Sequence, residues 1–372
     1  MQVVGQAWLV LEATHSAFLL GLISALQWSP TLLLSLPAGV LADRIPKRTL
    51  VIATQTASLL MALSLGLVTI LGWVRFWHIA AAATLLGITS AVDVPARQAL
   101  IIELVEGSED LPAAIALNSA LFNSARLIGP SLGGLVIAAW GAGAAFLANA
   151  ASFLPVILSL VVIGHARAES VAPGVGLLMG VRDGLRFVRR TPRVMWVLIV
   201  LGVLALFPMN FEIFVPVLAR SELRVGPMGF GFLMGVQGAG ALAGALGVAA
   251  AGRALPRRTF LFWCAVVLCC ATIALALTQE VVTAGILLFI AGGSTIAFTT
   301  IANGTVQLET PDLLRGRVMS LYNLVYNGTT PPGALLIGWL IEAAGLPGAL
   351  AITGGIGLAG TLAIYAMLLR RR

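Results

Sequence analysis

Charged residues are absent from several long stretches of this chain, among them Ala13 to Ala42, Thr49 to Val74 and Leu127 to Ala166. Each exceeds the ~20 apolar residues that a helix needs to cross a hydrocarbon core. Between the first two lies a compact charge cluster, Gly39-Val-Leu-Ala-Asp43-Arg44-Ile-Pro46-Lys47-Arg48-Thr49. Flanked so closely by apolar runs, it reads as a tight basic turn between two membrane spans. Arg44, Lys47 and Arg48 assign it to the cytoplasmic side, because short cytoplasmic loops carry the excess of basic residues. Gly39 and Ala42 let the first of these spans lie close to a neighbour, and Asp43 closes it.

Composition agrees and excludes other classes. Of 372 residues, 59% are hydrophobic and 10% charged, against about 25% charged in a soluble domain. The mean hydropathy is +1.01. A net charge of +7 raises the question of nucleic acid. The arginines, however, sit in short loops between apolar runs, which is membrane topology rather than a phosphate-binding face. Cys264, Cys269 and Cys270 share one apolar run and read as core side chains, not a disulfide or metal set. His15, His78 and His165 show no ligand spacing.

Taken in order, Met1 to about Leu11 is apolar but half the length of a span. No basic leader precedes it, so it reads as the second half of a first helix whose start is missing. Spans follow before Asp43, from Thr49 to about Gly72, and from about Trp77 to Val92, the last ending at Asp93. The third charge-free stretch holds the end of one span, a Trp140-Gly141-Ala-Gly143 turn and a further span. From Ala166 to Arg193, Arg182, Asp183, Arg186, Arg189 and Arg190 recur at helical spacing around Leu185, Phe187 and Val188. That pattern is an amphipathic helix on the inner surface. Six spans follow, giving twelve with the first incomplete. This layout leaves 18 of the 22 Lys and Arg on one side, the cytoplasmic one. The expected organisation is a helical bundle over 1–165, a cytoplasmic linker over 166–192 and a second bundle over 193–372.

The two bundles repeat. Pro46-Lys-Arg-Thr49 recurs as Pro256-Arg-Arg-Thr259, 210 positions on. At a shift of 204, Leu117, Asn123, Gly129, Gly134 and Gly141 fall on Leu321, Asn327, Gly333, Gly338 and Gly345.

Several of these motifs resemble those of the major facilitator superfamily. The cluster Gly39 to Arg48 is similar to the superfamily's loop between its second and third helices, although Pro46 stands where glycine is usual. Arg126-Leu-Ile-Gly129-Pro130-Ser-Leu-Gly133-Gly134 resembles the antiporter motif, with Ala125 and Ala116 in place of further glycines. A proline there frees a backbone carbonyl and the glycines allow close helix approach, which implies a hinge-like seam and export. Asp93-Val-Pro-Ala-Arg97-Gln98, Ala113-Ala-Ile-Ala-Leu-Asn118, Phe122-Asn123-Ser-Ala-Arg126 and Leu314-Arg-Gly-Arg317-Val-Met-Ser320 look like the transmembrane secretion effector branch, which includes the enterobactin exporters. The resemblance covers essentially the whole chain. In one respect the chain departs from many proton-coupled drug exporters: no arginine lies between His78 and Val92.

The resemblance implies an all-α membrane protein of two six-helix pseudo-repeats, exporting a small amphipathic molecule of the siderophore or drug class by alternating access. Facilitated uptake and a transport-dead sensor are the alternative readings. No nucleotide-binding loop is present, so the expected energy source is the proton gradient, without a cofactor. No Ser/His/Asp, Cys/His or paired-carboxylate set points to an enzyme. Ionisable groups inside spans are functional candidates by default. These are Arg126, beside Asn123, and Glu212, near Asn210; Glu212 also fits an interfacial carboxylate near the outer end. An arginine stays charged while a carboxylate can load and release a proton. The conformational loop would comprise Gly39, Asp43, Arg44, Lys47 and Arg48, with Arg257, Arg258, Arg315 and Arg317 in the second-half loops. The expected partners are a small-molecule substrate and the lipid bilayer of the bacterial inner (plasma) membrane, not nucleic acid. A monomer with both termini cytoplasmic in its full-length form completes the expectation.

Overall fold

The computed structural model of the protein describes residues 1–105, 110–163, 177–251 and 257–370, without the side chains at 35–44, 102, 112, 115–116, 119–120, 122–123, 126–127, 177–183, 313 and 368–370. Every regular element among the described residues is helical. In order these are α1 (Gln2–Thr14), α2 (Ala17–Arg44), α3 (Lys47–Ile70), α4 (Phe76–Leu104), α5 (Leu111–Ile163), α6 (Leu177–Arg190) and α7 (Pro192–Leu206). They continue with α8 (Phe211–Val217), a π-helical turn over Leu218–Glu222, α9 (Pro227–Ala251), α10 (Arg257–Leu275), α11 (Val281–Glu309), α12 (Asp312–Gly328) and α13 (Thr330–Arg370). Nine of the described helical stretches are long and apolar enough to span a bilayer. Helices satisfy their own backbone groups, which lipid cannot do.

The chain divides into two compact units. One comprises Met1–Pro173 together with Gly226–Phe232, the other Gly174–Val225 together with Leu233–Arg372. In the first, α2 packs on α4, while α3 packs on both α4 and α5 and α1 lies against α5. In the second, α10 packs on α11 and α13, and α7 lies against α13. Helix α6 rests on α12, where a Cβ at buried Gly184 would lie 3.2 Å from the Arg317 carbonyl oxygen.

The repeat is visible in three dimensions. Helices α4 and α11 are both 29 residues long and begin 205 positions apart. Helix α5 breaks at Gly141 (φ 81°, ψ 169°) and α13 breaks 204 positions later at Gly345 (φ 71°, ψ 167°). That backbone region is open essentially to glycine alone. The expected Trp140–Gly143 turn is therefore a break at one residue. A second pair marks backbone contact between helices. A Cβ on Gly87 of α4 would overlap the carbonyl oxygen of Gln27 in α2, and one on Gly292 of α11 would overlap that of Gln237 in α9. Without a hydrophobic drive between lipid-embedded helices, such close approach is a main source of association.

One expected boundary is corrected. The span from Trp77 does not end at Asp93: α4 runs on through Pro95 to Leu104. Proline costs one helical hydrogen bond, but α4 is held on both sides by α2 and α3. Ala96 and Leu100, beyond the proline, join Leu50, Val51 and Leu160 in a buried apolar cluster. Burial of that last stretch keeps it helical.

Gly292→Ala should destabilise the protein by about 1–3 kcal/mol through overpacking, whereas Gly304→Ala on the same helix, with no atom within 4 Å of its new Cβ, should not. Unfolding in detergent followed by tryptophan fluorescence compares the two. Equal midpoints would show that the α9–α11 approach is not required.

Candidate functional site

The basic turn builds one end of the first unit. Ile45 and Pro46 alone separate α2 from α3, whose first two residues are Lys47 and Arg48. Two cations in a first helical turn oppose the positive pole of the helix dipole, so each needs a counter-partner. Lys47 finds the Glu103 carboxylate near the end of α4 at 2.9 Å, with the side chains only 9% and 18% exposed. Arg48 reaches the end of α5, where its Nε donates to the Leu160 carbonyl at 2.6 Å and its Nη2 to that of Val161 at 3.0 Å. Carbonyls in a last turn lack helical partners and carry the negative pole. The turn thereby ties α3 to α4 and α5 above the apolar Leu50–Leu160 cluster. The side chains of Gly39, Asp43 and Arg44 lie outside the described residues, although α2 runs through them to Arg44.

Further along the bundle stands a polar group that the sequence-based candidates did not include. Asp93 lies about 16 Å before the end of α4, at 1.5 Å per residue. Its Oδ1 accepts from Thr54 Oγ1 at 2.7 Å and Gln55 Nε2 at 2.8 Å, both on α3. Its Oδ2 accepts from Arg97 Nη2 at 2.6 Å. Thr54 and Gln55 are buried. Treating Asp93 as a span end concealed this set. The usable signal was Asp93 and Arg97 four apart on one helix face, opposite a Thr-Gln pair in an otherwise apolar span.

The repeat shows that the same helix frame can also be built without such a network. Shifted by 210, Thr54 and Gln55 become Cys264 and Ala265; shifted by 205, Asp93 and Arg97 become Phe298 and Ala302. All four counterparts are buried. The same helix positions are held by apolar packing in one unit and by a charged network in the other.

The remaining candidates separate. In Gly129–Gly134, a Cβ on Gly134 would lie 2.6 Å from the Pro227 carbonyl oxygen and 2.7 Å from the Gly231 Cα, within the first unit. Ser131 Oγ donates to the Gly231 carbonyl at 3.3 Å. Gly133 packs against Met1, whereas a Cβ built on Gly129 would meet nothing within 4 Å. Pro130 is accommodated inside α5. The side chains of Asn123 and Arg126 lie outside the described residues. Asn210 caps the break between α7 and α8: its Nδ2 lies 3.2, 3.0 and 3.2 Å from the carbonyl oxygens of Ala205, Leu206 and Phe207. Its donors are thus spent on backbone rather than offered to a cavity. Glu212 is half-buried in the first turn of α8.

In the second unit, Arg257 is exposed at the start of α10, and Arg258 sits over the Tyr365 ring at 5.3 Å. Arg315 pairs with Asp312 in the first turn of α12, and Arg317 is half-buried one turn further on. Arg193 at the start of α7 meets Glu309 at the end of α11 at 3.1 Å. Among the described residues no group of three His, Cys, Asp or Glu could hold a metal.

Solved transporters share this fold. The nucleoside transporter NupG superposes with a TM-score of 0.76 at 11% identity over 99% of this chain and 96% of its own. A bacterial homologue of the iron transporter ferroportin gives 0.71 at 18% identity, covering 99% and 95%. In sequence, the multidrug efflux pump Tap of Mycolicibacterium fortuitum is 27% identical over 380 residues, 99% of this chain and 92% of the pump. The staphyloferrin A transporter of Staphylococcus aureus is 35% identical over 159 residues, 42% of this chain and 40% of that one. A family model described as transmembrane secretion effector matches residues 1–372.

Asp93→Ala strands the buried amide of Gln55, while the Thr54 hydroxyl keeps the Val51 carbonyl at 3.0 Å, and should lower stability by about 1–3 kcal/mol. Asp312→Ala, whose side chain is 87% exposed, should stay within about 0.5 kcal/mol of the parent. Denaturant unfolding in micelles measures both, and an Asp93→Ala protein as stable as the parent would remove the network from the fold's support.

Proposed function

Because the chain belongs to the transmembrane secretion effector family of the major facilitator superfamily, we propose that it is a secondary active exporter of a small amphipathic molecule, of the siderophore or drug class. The observation that carries this reading is the end-to-end likeness to a protein named as a multidrug efflux pump. A likeness confined to one motif would not distinguish export from other uses of the fold. In this reading the chain makes twelve crossings, works as a monomer in the bacterial inner membrane with both ends cytoplasmic, and alternates access between its two faces. Export is driven by proton antiport.

The turn at Asp43–Arg48 serves as the conformational loop. Lys47 and Arg48 are bound to α4 and α5, so movement of α2 relative to α3 bends the chain at the two-residue joint Ile45-Pro46. Asp43 supplies a carboxylate to a helix N-terminus or an arginine in one of the two access states. Glu212 carries the proton: it loads from outside and releases inside. Arg126 keeps its charge throughout, excluding a stray proton and holding a polar edge of the substrate.

The test uses inside-out membrane vesicles, acid inside, loaded from outside with a panel of amphipathic drugs. Uptake of at least one compound should appear with the gradient and vanish when an ionophore collapses it; no uptake, or uptake indifferent to the gradient, removes the antiport reading. Glu212→Gln should abolish gradient-driven uptake while sparing binding, and full transport by that variant removes Glu212 from coupling. Asp43→Asn should reach the membrane normally yet slow transport severalfold. An unchanged rate would leave the turn a matter of topology alone.

A further inference from the structure

Helices α11 and α12 pack side by side in the second unit, and each carries a polar stripe along a segment with the length and composition of a membrane span. On α11 the stripe is Thr300, Asn303 and Gln307; on α12 it is Ser320, Asn323 and Asn327. Spacings of three and four place each set on one helix face. Asn303 is half-buried and the other five are exposed. An exposed amide facing hydrocarbon is costly, since lipid gives it no hydrogen-bond partner. A stripe of them belongs to a water-filled cavity.

The wall is ordered before any ligand arrives. Gln307 Nε2 donates to Asn303 Oδ1 at 2.6 Å. The Tyr322 hydroxyl donates to the Thr299 carbonyl at 3.0 Å, and the Tyr322 and Tyr326 rings stack with centroids 6.4 Å apart. Leu324, 50% exposed, lies between Asn323 and Asn327. Donors, acceptors and apolar surface therefore alternate over a short distance. No charged residue occurs from Val281 to Leu308 or from Val318 to Ile341. A surface of this kind pairs with hydrogen-bonding groups but has no opposite charge for a fixed cation or a carboxylate.

We propose that the α11–α12 face is a substrate-binding wall that selects neutral, hydrogen-bonding amphiphiles, with Asn323 and Asn327 as its principal contacts. This rests on the export reading and names the substrate class within it. The experiment uses the full chain purified into nanodiscs and three probes: chloramphenicol as a neutral amide with hydroxyls, ethidium as a permanent cation and citrate as a polyanion. Equilibrium binding should be measurable for chloramphenicol and at least tenfold weaker for the other two. Asn323→Leu combined with Asn327→Leu should weaken chloramphenicol at least tenfold. Asn323→Asp, which adds a carboxylate to the wall, should bring ethidium binding up at least tenfold, a gain that misfolding cannot mimic. The proposal is overturned if chloramphenicol does not bind the parent, if it binds the double leucine variant as tightly, or if ethidium binds parent and Asn323→Asp alike. Vesicle uptake separates the two readings. Gradient-driven uptake of other compounds, with chloramphenicol indifferent to the wall, removes the wall and keeps export; no gradient-driven uptake of any compound removes export itself.

Discussion

The structure depends on one requirement: in a medium without water, every backbone polar group must find its partner inside the protein. Helices meet it along their length, and the informative places are where they cannot. At the end of α5, Arg48 supplies donors to the Leu160 and Val161 carbonyls. At the break after α7, the Asn210 amide lies against three carbonyls at once. The breaks at Gly141 and Gly345 turn the chain within a single residue, so few backbone groups lose their helical partners. Each device is local, and each is built from one side chain or from the absence of one.

The same requirement makes the two units comparable. Their helices α4 and α11 match in length, and both touch a neighbour's backbone at a glycine, Gly87 in one and Gly292 in the other. Against that shared frame the differences carry meaning. Arg48 is held by carbonyls, while its counterpart Arg258 lies over the Tyr365 ring. The Thr54–Gln55–Asp93–Arg97 network has only Cys264, Ala265, Phe298 and Ala302 opposite it. The frame tolerates either solution. The second unit instead concentrates uncharged polar groups on α11 and α12.

Much of this was legible in the residues. Charge-free runs set the helices and the offsets of 210 and 204 set the repeat, because each follows from lengths and spacings that the hydrocarbon core imposes. The turn at Gly141 was readable as well, since small residues interrupt an otherwise unbroken apolar run. Other features were decided only when helices came together. The fate of α4 beyond Asp93 is the clearest. Pro95 and a charge pair argue locally for a helix end, yet burial of Ala96 and Leu100 against α3 and α5 outweighs one lost hydrogen bond. Likewise, no spacing rule shows that Gly134 meets a backbone while Gly129 meets nothing, or that Asn210 caps a helix break instead of facing a cavity. Periodicity is a property of one segment and survives in the sequence. Partnership is a property of two, and only tertiary packing assigns it.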